Sequence, residues 1–429
     1  MALELTHSRR SFRTSIMGSP RRRPPAARLL LALALLWAWT FCSRPAVWAD
    51  EGPKVAWQTI RGVNFFPSYA ANAHEVWQKF DEKVVHRELG WAKGLGFNGV
   101  RAWLSVPAYE EAPSVFLQRL GRFLDLCDRH QLNVMLVVFD CCGIEPRADA
   151  TPTTIHQAYL RFLRDDRLTA AEKELLRSRY QQFAEGRGRE MWANVGSDTP
   201  FDVLFWQHWS PNPGLRRLQS KKNWAGLEEY FISVLRLGAG HPRVIAFDVM
   251  NEPGCLFDLP GGIDRPGAAA LVNEFVRHMS RLAREGFPAV VRTIGAQNVD
   301  QMKVLANEAD VLSFHTYRLG AQLSEQLEQA KAFAHTQNKP LLLTECLANT
   351  DNWLKTHGEE RLSNDEGQLQ HYEQILPIIQ RSGMGWYSWG FVVGRMFTPF
   401  TDILYSNGYR RPAAVYLEQQ LRKPKRPSH

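Results

Sequence analysis

Two carboxylates sit where short apolar runs end: Glu252 in VIAFDVMNEPG (residues 244–254) and Glu345 in LLLTE (residues 341–345). Two carboxyl groups facing each other across a pocket can cleave an acetal. One protonates the leaving oxygen, and the other attacks the anomeric carbon or activates water. Such a pair works only if one member is protonated while the other is ionised at the same pH, so its neighbours matter as much as the pair. The ends of other apolar runs supply suitable neighbours. Arg101 in FNGVRAWLS would hold a carboxylate ionised, and His315 and Tyr317 in DVLSFHTY would donate hydrogen bonds to it. Asn251, beside Glu252, has the reach to hold a sugar hydroxyl, and Trp386 and Trp389 offer flat faces for a pyranose ring. Asp140 ends NVMLVVFD and reads equally as a substrate contact or a structural partner, whereas Asp248 reads as a structural acid. The cysteines near these ends, Cys141, Cys142, Cys255 and Cys346, lack CxxC or HExxH spacing, so neither a metal nor a cofactor is expected.

These side chains must be carried by a scaffold that brings many strand ends together. Eight apolar segments are legible, at 57–66, 97–105, 133–140, 244–251, 289–296, 310–317, 340–345 and 385–392. Between most of them lie stretches with apolar residues at three- and four-residue spacing, such as 115–130, 271–286 and 325–338. Buried strands alternating with amphipathic helices imply parallel pairing with helices as cover, and eight such units predict an α/β fold of the (β/α)8 (TIM) barrel type. In that architecture chemistry gathers at the C-terminal ends of the strands, where the residues above fall. About a hundred residues separate the third strand from the fourth. No flexible linker marks a separate domain there, so residues from about 143 to 223 read as a helical and aromatic insertion over the barrel, in which Trp206 and Trp209 read equally as cleft residues or as loop core.

With these motifs in order on successive strands, the chain resembles glycoside hydrolase family 5, the cellulase-like clan A retaining glycosidases, or a close relative. The resemblance spans most of residues 57–420. It implies that Glu252 is the acid/base and Glu345 the nucleophile, supported by Arg101, Asn251, His315, Tyr317 and Trp389. The implied function is hydrolysis of a β-linked poly- or oligosaccharide of glucan or mannan type by double displacement. The alternative is a carbohydrate-binding barrel without catalysis. One departure is plain: the family commonly has a His near the end of strand 3, where this chain reads Phe139-Asp140-Cys141-Cys142.

The N-terminus carries Arg21, Arg22, Arg23 and Arg28 before LLLALALLWAWTFC and small residues up to Ala49, the layout of a signal peptide over 1–49 ahead of a catalytic domain over 50–429. The expected location is therefore secreted, periplasmic or extracellular, with membrane contact only if the leader stays as an anchor. The 429-residue chain has a formal net charge of +8, but residues 1–49 hold eight Arg and a single acidic residue, Glu4. The remainder is close to neutral and shows no basic stripe interleaved with aromatics, so a carbohydrate rather than nucleic acid is the expected partner.

Overall fold

The computed structural model describes residues 55–143, 151–166, 168–186, 192, 210–256, 259, 262–348, 365–394 and 401–422. The leader expected over 1–49 lies outside the described residues, as do Trp206 and Trp209.

Eight parallel strands close into a barrel in sequence order: β1 (Arg61–Phe65), β2 (Gly99–Trp103), β3 (Asn133–Asp140), β4 (Val244–Asn251), β5 (Arg292–Ala296), β6 (Leu312–His315), β7 (Leu341–Cys346) and β8 (Gly385–Ser388). Each expected segment contains or closely overlaps one of them. Helices cover the outside, among them Glu82–Leu95 after β1, Pro113–Arg129 after β2, Trp224–Gly238 after β3, Arg265–Gly286 after β4 and Gly320–Thr336 after β6. Their apolar stripes explain this placement: Phe116, Leu120, Phe123, Leu124 and Cys127 form the buried face of Pro113–Arg129, at the spacing of one helical side.

The floor of the barrel is filled by Ile60, Met135, Ile245, Ala246, Val311, Leu342 and Tyr387. Gly62 makes room for it, because a β-carbon there would lie 2.2 Å from the Tyr387 ring. An apolar floor under a polar upper layer closes the barrel at one end and leaves the other for chemistry.

Register shifts at the pocket ends of β4 and β7, and β4 has a further shift at its start, where Val134 and Met135 of β3 pair with Val244 and Ala246. On β4, Asp248 pairs with Thr293 and Asn251 with Gly295, so three steps on β4 match two on β5. On β7, Leu343 pairs with Trp386 and Cys346 with Ser388, and the partners on β6 shift in the same interval. At each pocket end the strand thus carries one extra residue, a bulge that turns the following side chains to the opposite face.

The insertion is tied at both ends to the C-terminal end of β3. The Asp140 amide donates to the Asn212 carbonyl at 2.7 Å, and the Asn212 side chain bonds to Leu104, Val106 and Val138 backbone groups. Within it, helices Pro152–Leu163 and Ala170–Ala184 each begin with a threonine capping box and share a small core of Ile155, Ala158, Phe162, Leu176 and Trp192.

Candidate active site

The upper layer of the barrel is organised by one guanidinium. Arg101, fully buried on β2, donates from Nη1 to Glu345 Oε1 at 2.8 Å and to Asn64 Oδ1 at 3.0 Å. Its Nε and Nη2 reach Asp248 Oδ2 at 3.1 and 2.7 Å, and Nη2 reaches Asn251 Oδ1 at 2.6 Å. Three strands, β1, β4 and β7, are thereby pinned to one planar fork on β2, which the five fixed donors of Arg make possible and a lysine would not reproduce. Gly295 on β5 is a condition of this packing, since a β-carbon there would lie 2.6 Å from Arg101 Nη2 and 2.6 Å from Asp248 Oδ2.

The bulges decide which carboxylates face the pocket. Leu342 belongs to the barrel floor, so strict alternation would send Glu345 toward the helices; the extra residue on β7 turns it inward. The same device lets Asp248 and Asn251, three positions apart on β4, both meet Arg101. Glu252 follows with φ +44°, in the left-handed region that non-glycine residues seldom occupy. Its amide donates to the Gly295 carbonyl at 2.7 Å, and its carbonyl accepts from the Cys255 amide at 2.8 Å, which holds the strained turn in place.

Glu345 Oε2 accepts a 2.6 Å bond from the Tyr317 hydroxyl, and His315 Nδ1 lies 3.5 Å away. Glu252 Oε1 meets His315 Nδ1 at 2.7 Å, and Glu252 Oε2 accepts from the Cys142 thiol at 3.1 Å. Glu252, His315 and Glu345 each present an atom within 4.8 Å of those of the other two. The Glu252 side chain keeps 17% of its surface open, while Glu345 is nearly closed off at 6%.

Burial is the largest influence on the titrating groups. It pushes Glu252 above the usual carboxylate range, against the thiol bonds and the more distant Arg101 charge. It pushes Glu345 the same way, with His315, Arg101 and the Tyr317 bond opposing and the Glu252 charge adding to it. It lowers His315 to about 4, so the ring is neutral at pH 7, and it raises the Cys255 thiol to about 12.

Of the residues singled out from sequence, Arg101, Asn251, Glu252, His315, Tyr317 and Glu345 converge in this layer. Asp140 joins them as a structural partner: its Oδ1 accepts from Asn251 Nδ2 at 3.1 Å and from the Cys142 amide at 2.9 Å. Trp389 lies half-buried on an aromatic wall with Trp103, 5.5 Å between rings, and Phe66, 6.3 Å away. A small pocket beside this wall is lined by Asn64, Phe66 and Trp389. Trp386 does not belong to the site. It lies on the opposite face of β8 from Tyr387, fully buried against Phe97 with the Arg61 guanidinium over its ring, so the expected sugar contact is corrected to a core position. Asn64, Gly295, Cys142 and Cys255 complete the site. Of these, Asn64 near the end of the first strand and the cysteines after later strand ends offered a signal in the sequence; Gly295 did not.

No family model matches the chain, and no curated protein sequence does. Solved structures share its fold. A GH5_18 protein from Streptomyces cattleya in complex with GlcNAc superposes with a TM-score of 0.52 at 15% identity, covering 86% of this chain and 82% of its own. An exo-β-1,4-mannosidase from Opitutaceae bacterium strain TAV5 gives 0.51 at 17% identity over 84% of this chain and 58% of its own. A β-glucuronidase from Bacteroides uniformis, covalently bound to a cyclophellitol-6-carboxylate aziridine, gives 0.50 at 14%, over 85% of this chain and 35% of its own. The chain thus spans little more than half of that mannosidase and about a third of that glucuronidase. Its architecture is the (β/α)8 barrel that these structures share, the fold the sequence led us to expect.

Proposed function

We propose that this chain is a retaining β-glycosidase, with Glu345 as nucleophile and Glu252 as acid/base. The observation that carries the reading is the separation of the two carboxylates, which present oxygens within 4.8 Å of each other. Retaining glycosidases hold their carboxyl groups about 5–5.5 Å apart, whereas inverting ones leave about 6.5–9.5 Å for an intervening water.

The division of labour follows from the donors. Glu345 is held by a guanidinium at 2.8 Å and a phenol at 2.6 Å, which favour its ionised form and aim it. Glu252 is held by a neutral imidazole and a thiol, so of the two it is the one that keeps a proton. In the first step Glu345 bonds to the anomeric carbon while Glu252 gives its proton to the leaving oxygen. In the second, Glu252 takes a proton from water as that water displaces Glu345. Asn251, its Oδ1 fixed by Arg101, directs Nδ2 toward a sugar 2-hydroxyl, and Trp389 with Trp103 supplies a stacking wall. The substrate class is a β-linked glucan or mannan, or oligosaccharides from one, and the leader sends the mature domain out of the cytoplasm.

The test is a panel of aryl β-mannosides and β-glucosides together with the matching polysaccharides, with the anomeric configuration of the first product followed by NMR. Retained configuration supports the assignment; inversion, or no turnover of any β-glycoside, overturns it.

A further inference from the structure

Double displacement by Glu345 and Glu252 leaves two thiols beside the acid/base without a task. Cys142, at the end of β3, and Cys255, in the turn after β4, flank Glu252, and one atom from each of the three residues lies within 4.8 Å of the other two. Cys142 Sγ stands 3.1 Å from Glu252 Oε2, and the Cys255 thiol is hydrogen-bonded to both. Neither cysteine is in a disulfide. Cys255 and Glu252 are only partly buried, so the group is not sealed from solvent.

We propose that Cys142, Cys255 and Glu252 form a binding site for a thiophilic divalent cation, Zn²⁺ being the type, and that filling it silences the enzyme by withholding the Glu252 carboxylate from proton transfer. Tetrahedral Zn²⁺ with sulfur at about 2.3 Å and oxygen at about 2.0–2.2 Å spaces its ligands about 3.5–4 Å apart, a spacing the three atoms reach with side-chain adjustment alone. Two sulfurs and one carboxylate leave the fourth position to water. On binding, each thiol gives its proton to solvent and the sulfur lone pair to the metal, so charge and protons balance without any redox step. Glu252, His315 and Glu345 form a second group of comparable size. There the Arg101 and Tyr317 donors already occupy Glu345. Its oxygen and nitrogen atoms also match a soft cation less well than two sulfurs do. The inhibitory consequence rests on the acid/base role of Glu252; the binding does not.

The experiment titrates the reduced, metal-free protein with Co²⁺ as a spectroscopic probe and then with Zn²⁺. One equivalent of Co²⁺ should produce a sulfur-to-metal charge-transfer band that one equivalent of Zn²⁺ removes. Cys255→Ser and Cys142→Ser should each lower the affinity about tenfold or more, while Cys346→Ser, checked like the others for native circular dichroism, should retain the band. Zn²⁺ should inhibit the wild-type protein against its own metal-free rate, with recovery on adding a chelator. The proposal is overturned if Co²⁺ binds with no charge-transfer band, which would put it on the oxygen and imidazole ligands instead. Binding that is undiminished in folded Cys255→Ser, or absent from the wild-type protein, overturns it as well. A thiolate band on a protein inactive toward every glycoside would sustain the metal site and defeat the glycosidase reading.

Discussion

A single methyl group should disable this site without touching a reacting residue. Gly295→Ala places a carbon 2.6 Å from Arg101 Nη2, 2.6 Å from Asp248 Oδ2 and 3.1 Å from His315 Nε2. Ordinary contacts need about 3.5 Å or more, so either the guanidinium–carboxylate pair or β5 must give way by about 1 Å. The pair cannot move alone. Arg101 Nη2 is also bonded to Asn251 at 2.6 Å and Nη1 to Glu345 at 2.8 Å, while Asp248 Oδ1 accepts from the Gly295 amide itself at 2.8 Å. Overpacking at such a point costs about 1–3 kcal/mol of stability. Misplacing the nucleophile's partner by about 1 Å costs about a hundredfold in rate. Urea unfolding would read the first effect and kcat on an activated aryl glycoside the second. KM should rise as well, because Arg101 also fixes Asn251 and stacks on Trp103 of the aromatic wall. A variant with wild-type kcat and an unshifted unfolding midpoint would refute the claim that Gly295 sets the position of Arg101.

Other outcomes follow from the same geometry. Glu345→Gln should lose essentially all turnover, while Glu252→Ala should still form the glycosyl intermediate from substrates with good leaving groups and regain turnover with azide; full activity in either, measured with nitrophenyl glycosides, counts against Glu345 as nucleophile and Glu252 as acid/base. Trp389→Ala should raise KM about tenfold with a smaller effect on kcat, read from initial rates on oligosaccharides, if its face stacks on the sugar. His315 is lowered from about 6.5 to about 4. Between those values the unfolded chain binds a proton that the native ring refuses, so this residue's contribution to stability falls by about 1.4 kcal/mol for each unit of acidification, about 3 kcal/mol in all. That component should be missing from the pH dependence of unfolding in His315→Gln. N-terminal sequencing of exported protein should begin near residue 50; a chain that still carried residues upstream of 40 would speak for an anchor.

The eight strands were legible because each is a short apolar run between amphipathic stretches, and a closed barrel is the arrangement that buries them all. The identities of Arg101, Glu252, His315, Tyr317 and Glu345 were legible for a related reason, since polar groups at the ends of buried strands are costly unless they face one another. Trp386 was misplaced because two tryptophans three residues apart were both assigned to the pocket. Tyr387 fills the floor, so alternation sends Trp386 to the helix side. The contribution of Cys142 and Cys255 depends on two chain turns meeting across Glu252, and no local pattern encodes that. Asp140 could be settled only by seeing that its oxygen already serves Asn251 and the Cys142 amide. The fit around Gly295 is likewise a three-dimensional fact, invisible in a residue whose distinguishing property is the lack of a side chain.

The bulges on β4 and β7 give this chain an odd-even logic. Below each extra residue, one parity of positions faces the axis; above it, the other does, and the functional carboxylates depend on the second. Deleting one apolar residue from either strand ahead of its glutamate would leave every letter of NEP or TE in place and turn the strand end inside out, burying an acid among helices. A relative aligned only by its letters could therefore carry the same glutamates and yet be inert, and a transplanted strand would need its miscount as much as its glutamate.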